Sequence, residues 1–331
     1  MFLNAAAQLD IHEAVIEKDY WICLVLGYLF HQNKYKEYFV FKGGTSLSKC
    51  FNVIKRFSED VDLIFNWKAL GYSENEPWQE RSNNKQFIFN NAINERTAKF
   101  LKEEFTSLLK KDLEKLICKK IKIKLNEKEP QMIDIYYPKF FEIETILPVI
   151  RLEIGALAAW TPTVNKDITP YIFECYPNIV SDRSTNIITT SIERTFWEKA
   201  TILHHEANRP KEKEMPIRYA RHYYDMYCLA KSEHRDNALS DFDLLKEVVK
   251  FKEKFYTRGW AKYEDAAEGK IKLIPPTYRL KDLEKDYVKM TNMFFGDYPD
   301  FNEMMETIAK LEKEINDKFS CSIDRSDEKW L

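Results

Sequence analysis

The chain has 331 residues, with 51 Lys and Arg against 53 Asp and Glu, a formal net charge of −2 and six cysteines; this is length enough for two domains. Near-balanced charge excludes a global nucleic-acid-binding signature, so any basic surface has to be local. Cys23, Cys50, Cys118, Cys175, Cys228 and Cys321 are too scattered for a zinc knuckle or redox pair, no apolar run approaches the roughly 18 residues of a membrane span, and the first residues lack a signal peptide's basic start. A cytoplasmic protein with no membrane partner is expected.

The first 35 residues read as helical, with Trp21, Leu24, Val25, Tyr28 and Leu29 at helical spacing after the polar "EKDY". "YFVF" (Tyr38–Phe41) is a short strand that stops at Gly43-Gly44. Thr45 or Ser46 can cap a helix running to about Lys55, and "VDLIF" reads as a second buried strand. Asn83 to Cys118 is helical again and reads as an insertion. Strands return at Lys120–Leu125, Met132–Tyr137 and Ile146–Leu157, followed by a connector with Pro and Asn up to about Thr190.

Beyond the connector the period is helical: Ile192–Ala207, Pro216–Lys231, Leu239–Phe255, Leu280–Phe295 and Phe301–Phe319. The expected fold is α+β. A mixed β-sheet domain with helices, residues 1–160, precedes a helical bundle, residues 190–331, with the boundary somewhere in 160–190.

A strand ending in Gly43-Gly44 ahead of a helix lets backbone approach a ligand closely and offers free N–H groups to a phosphate, with Thr45 or Ser46 adding a hydroxyl. A plain tight turn explains the same residues. Asp60 and Asp62 stand at i and i+2 of a strand and so project to one side. Carboxylates held together in an apolar sheet repel unless a cation lies between them, and hard oxygen ligands suggest Mg²⁺. Solvent-facing aspartates at a strand start are the plainer alternative. Glu153, in "VIRLEIGAL", becomes a third ligand if its strand pairs beside that of Asp60 and Asp62; an ion pair with Arg151 is its alternative.

In the helical half, Lys199 shares a face with Ile192, Thr195, Phe196, Ile202 and Leu203. An inward lysine there needs an anion; a stem reaching past the stripe to solvent is the other reading. Arg218, Arg221, His222 and Asp225 fall at i, i+3, i+4 and i+7, a face that could orient a triphosphate or form an ion-pair ladder. "HHE" (His204–Glu206) has the wrong spacing for zinc. "KKIKIKL" puts Lys120, Lys122 and Lys124 on one side of a strand, as a phosphate-tracking strip or as protection of a sheet edge.

"KGGTSL" followed by "RFSEDVDL" resembles the AbiEii/AbiGii toxin family of nucleotidyltransferases, relatives of the DNA polymerase β superfamily, and "ERTFWEKATILHHE" and "RYARHYYDMYCL" are similar to further segments of that family. The resemblance spans roughly residues 38–230 and implies a nucleotidyltransferase-like fold. It implies that Gly43, Gly44 and Ser46 form the phosphate-side turn, that Asp60 and Asp62 are metal ligands, and that Ser58 is the small hydroxyl residue before them. Lys199 would meet the triphosphate, and Asp225 is the last motif's carboxylate. Relatives often place Arg-Asp before the aromatic-Asp pair where this chain has Arg221-His222-Tyr223-Tyr224-Asp225, which leaves the partner of Asp225 open.

The expected activity is Mg²⁺-dependent transfer, with Mn²⁺ as a substitute, of a nucleoside monophosphate from a nucleoside triphosphate to an acceptor hydroxyl on RNA such as tRNA, or on protein. The resemblance further implies a toxin with an antitoxin partner. A metal-dependent nuclease using the same carboxylates and a catalytically silent nucleotide-binding module are the alternatives.

Overall fold

A computed structural model describes residues 1–144, 146–176 and 184–327, with side chains to residue 320; the side chain of Cys321 and residues 177–183 of the expected 160–190 boundary lie outside what is described. By backbone contact the chain divides into two units, residues 1–52 with 56–190, and residues 53–55 with 191–331.

The first unit opens with α1 (Phe2–Leu9) and α2 (Glu13–His31), then β1 (Phe39–Lys42), α3 (Gly43–Lys49) and β2 (Asp60–Phe65). The expected helix from Thr45 to Lys55 thus starts two residues earlier and ends at Lys49, because Asn52 turns left-handed with φ 51°. Next come α4 (Asn83–Phe100), a π turn (Leu101–Phe105) and α5 (Thr106–Leu116). The wider turn seats both Leu101 and Phe105 in the core, fully buried. β3 (Lys122–Leu125), β4 (Met132–Tyr136) and β5 (Ile150–Gly155) follow. Residues 160–190, expected as a connector, instead supply β6 (Thr163–Ile168), α6 (Tyr171–Cys175) and β7 (Thr185–Thr190).

Among the described residues the strands form one mixed sheet in the order β3-β4-β5-β2-β1-β7-β6. β2 runs parallel to β5 and antiparallel to β1. Strand alternation sorts the side chains by face. Ile133, Ile135, Ile150, Leu152, Ile154, Val61, Leu63 and Phe41 are buried on one side, where Trp21, Leu24 and Val25 of α2 and Leu113 of α5 gather beside Ile135 and Ile150. The opposite side of β3, β4, β5 and β2 carries the charges.

α2 is enclosed in an unusual way. Glu17, Lys18 and Asp19 are all buried, and each ties down a different segment. Glu17 accepts from the N–H groups of Phe140 and Phe141. Lys18 Nζ donates to Leu147 O at 2.9 Å and lies 3.8 Å from Glu59, which in turn accepts from Leu147 N–H. Asp19 pairs with Lys49 at 2.8 Å and accepts from Tyr171 N–H at 2.7 Å. The pairs with Glu59 and Lys49 satisfy charges that burial would otherwise penalise. They also hold both approaches to the glycine turn, since Lys49 ends α3 and Glu59 precedes β2.

The second unit is helical: α7 (Ile192–Ala207), α8 (Ala220–Lys231), α9 (Arg235–Ser240), α10 (Phe242–Phe255), α11 (Tyr263–Ala267), α12 (Thr277–Lys289) and α13 (Phe301–Asp327). Ser191 caps α7 by accepting from Arg194 N–H, and Asp241 caps α10 by accepting from Leu244 N–H. Both oxygens of Asp286 receive N–H groups at the start of α8, from Arg218 and Ala220 at 2.8 Å. The short segment Val53–Lys55 belongs here: Lys55 N–H reaches Tyr224 Oη and Lys55 O accepts from Phe295 N–H. Among the described residues no helix is long and apolar enough to cross a membrane.

Candidate active site

β1 ends at Lys42, and the chain turns into α3 through Gly43 with φ +82°. A Cβ at Gly43 would fall 1.8 Å from Asp62 Oδ2, and one at Gly44 would fall 2.8 Å from Ser58 Oγ and 2.9 Å from an Arg56 guanidinium nitrogen. The two glycines are therefore the space into which the Asp62 carboxylate, Ser58 and Arg56 fit. Thr45 and Ser46 are buried beneath this turn. The Thr45 hydroxyl donates to Asp60 O, and the Ser46 hydroxyl donates to Gly43 O at 2.8 Å. The Thr45 hydroxyl ties the turn to β2 and the Ser46 hydroxyl closes the first turn of α3 on itself.

Strand register decides where the carboxylates point. Asp62 lies opposite Glu153 on the parallel neighbour β5, and Asp60 lies opposite Arg151. Register partners share a face, so Asp60, Asp62 and Glu153 stand on the same side of two adjacent strands, each half-buried. Lys42, opposite Asp62 on β1, joins them. Arg151 makes a two-pronged pair with Asp134, Nε to Oδ1 at 2.8 Å and Nη2 to Oδ2 at 3.2 Å. Hydrogen bonding to Asp134 pushes the Arg151 pKa up against partial burial, and the charges of Asp60 and Glu153 push the same way. Among the described residues no group of three or more His, Cys, Asp or Glu is already drawn together as a metal cluster. The donor set on this face is nonetheless all hard carboxylate oxygen, with no thiol or imidazole, which fits Mg²⁺ or Mn²⁺ and not zinc.

In the second unit Lys199 is 7% exposed and Asp225 is 0% exposed. Lys199 Nζ donates to Asp225 Oδ2 at 2.7 Å and lies 3.3 Å from His222 Nδ1. Asp225 is thus charge-balanced by Lys199, and the solvent-reaching stem does not occur. α8 starts at Ala220, so Arg218 stands outside it in a left-handed conformation, with φ 61°, and the four-residue polar face expected from Arg218 to Asp225 is broken. Arg221 and His222 remain half-buried on α8.

The His204–Glu206 stretch is used up in packing. His204 Nδ1 accepts from Lys272 N–H at 2.9 Å, which leaves Nε2–H to donate to Lys262 O at 2.7 Å. His205 stacks on Trp260, and Glu206 pairs with Arg209 at 2.6 Å.

Arg56 and Lys42 were missed in the sequence. Lys42 comes beside Asp62 through the antiparallel pairing of β1 and β2 across α3; nothing local marks Arg56, which is buried against Gly44 by tertiary packing.

A family model described as nucleotidyl transferase AbiEii toxin, type IV toxin–antitoxin system, matches residues 27–310. Among solved structures, JHP933 from Helicobacter pylori is similar at 14% identity and TM-score 0.47, covering 97% of this chain and 99% of that chain. MenT4, a nucleotidyltransferase toxin from Mycobacterium tuberculosis H37Rv, is similar at 13% identity and TM-score 0.43, covering 97% of this chain and 98% of that chain. Comparison with curated protein sequences gives no match. The glycine turn, the paired-aspartate strand, Glu153 and the Lys199–Asp225 pair all fall inside the matched span, and the chain belongs to the AbiEii nucleotidyltransferase toxin family of type IV toxin–antitoxin systems.

Proposed function

We propose that the chain moves the nucleoside monophosphate of a nucleoside triphosphate onto a hydroxyl of an RNA acceptor and releases pyrophosphate, with an antitoxin as its protein partner. The observation that carries this reading is the register of β2 on β5, with Asp60, Asp62 and Glu153 on one face and the Gly43 turn opened for Asp62. Asp60, Asp62 and Glu153 would hold Mg²⁺ or Mn²⁺, which when bound offsets triphosphate charge as the reaction proceeds.

The chain's own groups do the rest. Gly43 and Gly44 admit the Asp62 carboxylate, Ser58 and Arg56 against the turn that would meet a phosphate oxygen, and Thr45 ties that turn to β2. A Glu153 carboxylate oxygen takes the proton from the acceptor hydroxyl as its oxygen bonds to the α-phosphorus and the bond to pyrophosphate breaks. In the second unit Asp225 fixes Lys199 Nζ at 2.7 Å, and Lys199 and Arg221 are the cations that would meet a phosphate.

Incubating the protein with each α-labelled triphosphate and total cellular RNA, with and without a metal chelator, tests the reading. Label on RNA that the chelator abolishes is the expected result. Strand cleavage without label would favour the nuclease, and nucleotide binding without turnover would favour the silent module.

A further inference from the structure

Residues 110–124 hold seven lysines against one aspartate and one glutamate, a local charge of +5 in a chain of net charge −2. Both acids are engaged. Asp112 accepts from Tyr28 O–H at 2.8 Å, and Glu114 accepts from Ile121 N–H and pairs with Lys120 at 3.0 Å. Lys110, Lys111, Lys115, Lys119 and Lys120 are exposed around an open groove of about 560 Å³ at the end of α5. Lys122 and Lys124 continue the series on β3, the edge strand.

The register then sets direction. Lys124 lies opposite Asp134, Asp134 opposite Arg151, and Arg151 opposite Asp60, one row across four strands. Lys122 lies opposite Tyr136, whose ring centre is 5.0 Å from the ammonium and which is 37% exposed. The lysines of β3 therefore stand on the same face as Asp60, Asp62 and Glu153. Edge protection accounts for Lys122 and Lys124. It does not account for five more lysines around a groove, nor for an exposed tyrosine among them.

We propose that this lysine-lined edge is where the acceptor RNA docks, its phosphates on the lysines and a base against Tyr136, so that the strand crosses β4 and β5 toward the carboxylates. The span is three strand spacings, roughly 14 Å at about 4.8 Å each. The identity of the partner as the acceptor rests on the transfer reading above.

The test compares wild type with a Lys119→Glu, Lys122→Glu, Lys124→Glu triple variant, a triple Lys→Gln variant and a triple Lys→Arg variant, all at exposed positions. Binding of a fluorescent single-stranded RNA of about 12 nucleotides is followed by anisotropy across a salt series. Charge reversal should weaken binding by about tenfold or more and flatten the salt dependence by about 0.7 per lost phosphate contact. The Gln set should fall between, the Arg set should bind as wild type, and Mg²⁺–triphosphate affinity should not move. Equal RNA affinity in wild type and the reversed variant overturns the docking surface, as does a wild type that binds poly-glutamate as tightly as RNA. Label transferred to RNA equally well by the reversed variant discards the surface and keeps the transfer reading; lysine-dependent RNA binding with no transfer by wild type does the opposite.

Discussion

The Asp62 carboxylate occupies the place where a side chain on residue 43 would begin: a Cβ on Gly43 would sit 1.8 Å from Asp62 Oδ2 and 2.6 Å from its carboxyl carbon. Gly43 also has φ +82°, so a substitution meets backbone strain of roughly 1–3 kcal/mol as well as the clash. Gly43→Ala should abolish transfer and lower stability in urea denaturation. Gly155→Ala is the control, because nothing lies within 4 Å of its added Cβ. Equal loss in both variants would show that the close approach of Asp62 is not what matters.

Asp60→Asn and Asp62→Asn each keep shape and remove charge from the place where Asp60, Asp62 and Glu153 stand together on β2 and β5. Transfer should fall by at least about a thousandfold for each, a loss of roughly 4 kcal/mol in transition-state stabilisation. Stability without metal should hold or rise slightly, because like charges are relieved. Labelled-triphosphate turnover and a thermal melt measure the two effects, and near wild-type turnover in both variants would remove these residues from the chemistry.

Lys199 and Asp225 separate binding from folding. Lys199→Met takes the ammonium from a fully buried carboxylate, a loss of roughly 3–5 kcal/mol for a broken buried pair. The double variant Lys199→Met, Asp225→Leu should recover much of that stability. Triphosphate affinity, measured by calorimetry, should fall about ten- to a hundredfold in both. Recovery of affinity in the double variant would make the pair purely structural.

His205 gives the second unit a pH signature. Its ring stacks on Trp260 and Tyr263, with centroids at 4.3 and 6.0 Å. Burial first, then the nearby charges of Arg209, Lys252 and Arg258, push its pKa down from the ordinary 6.5 to about 4. The unfolded chain therefore takes up a proton near pH 6.5 that the folded chain refuses until about pH 4. Stability from this site is full above the upper value and drains as pH falls through the window. His205→Phe keeps the stack and removes the titration, so its melting temperature should fall less than wild type between these two pH values. Parallel curves would show that His205 does not contribute.

Period and apolarity made α7, β2 and the helical stretch around α4 and α5 legible, since each buries one side against a core. They failed at β6 and β7, because "TVNKDI" and "TNIITT" are polar, partly exposed strands flanked by Pro162 and Pro170 or by Asn and Thr. Such segments become strands through their partners, not through propensity. The carboxylate face was readable because i and i+2 alternation is local; the pairing of β2 with β5 that adds Glu153 spans about ninety residues of chain and was only conditional. "EKDY" reads in sequence only as a polar stretch ahead of the apolar spacing, and charge normally faces water. Its partners Lys49, Glu59, Leu147 and Tyr171 are too distant in sequence for any local pattern to reveal.

That buried triplet also sets how the first unit breathes. Successive helical residues point about 100° apart, so Glu17, Lys18 and Asp19 moor more than half the circumference of α2 to segments around residues 140, 147 and 171. No single segment can peel away and free the helix, because the other two still hold it. Amide protons of Glu17 through Trp21 should therefore exchange with solvent only through global opening of the unit, among its slowest. Those of β6, a strand at the sheet's edge, should exchange through local fraying. Hydrogen–deuterium exchange followed by mass spectrometry resolves the two classes. Exchange in α2 as fast as in β6 would mean that the moorings release one at a time.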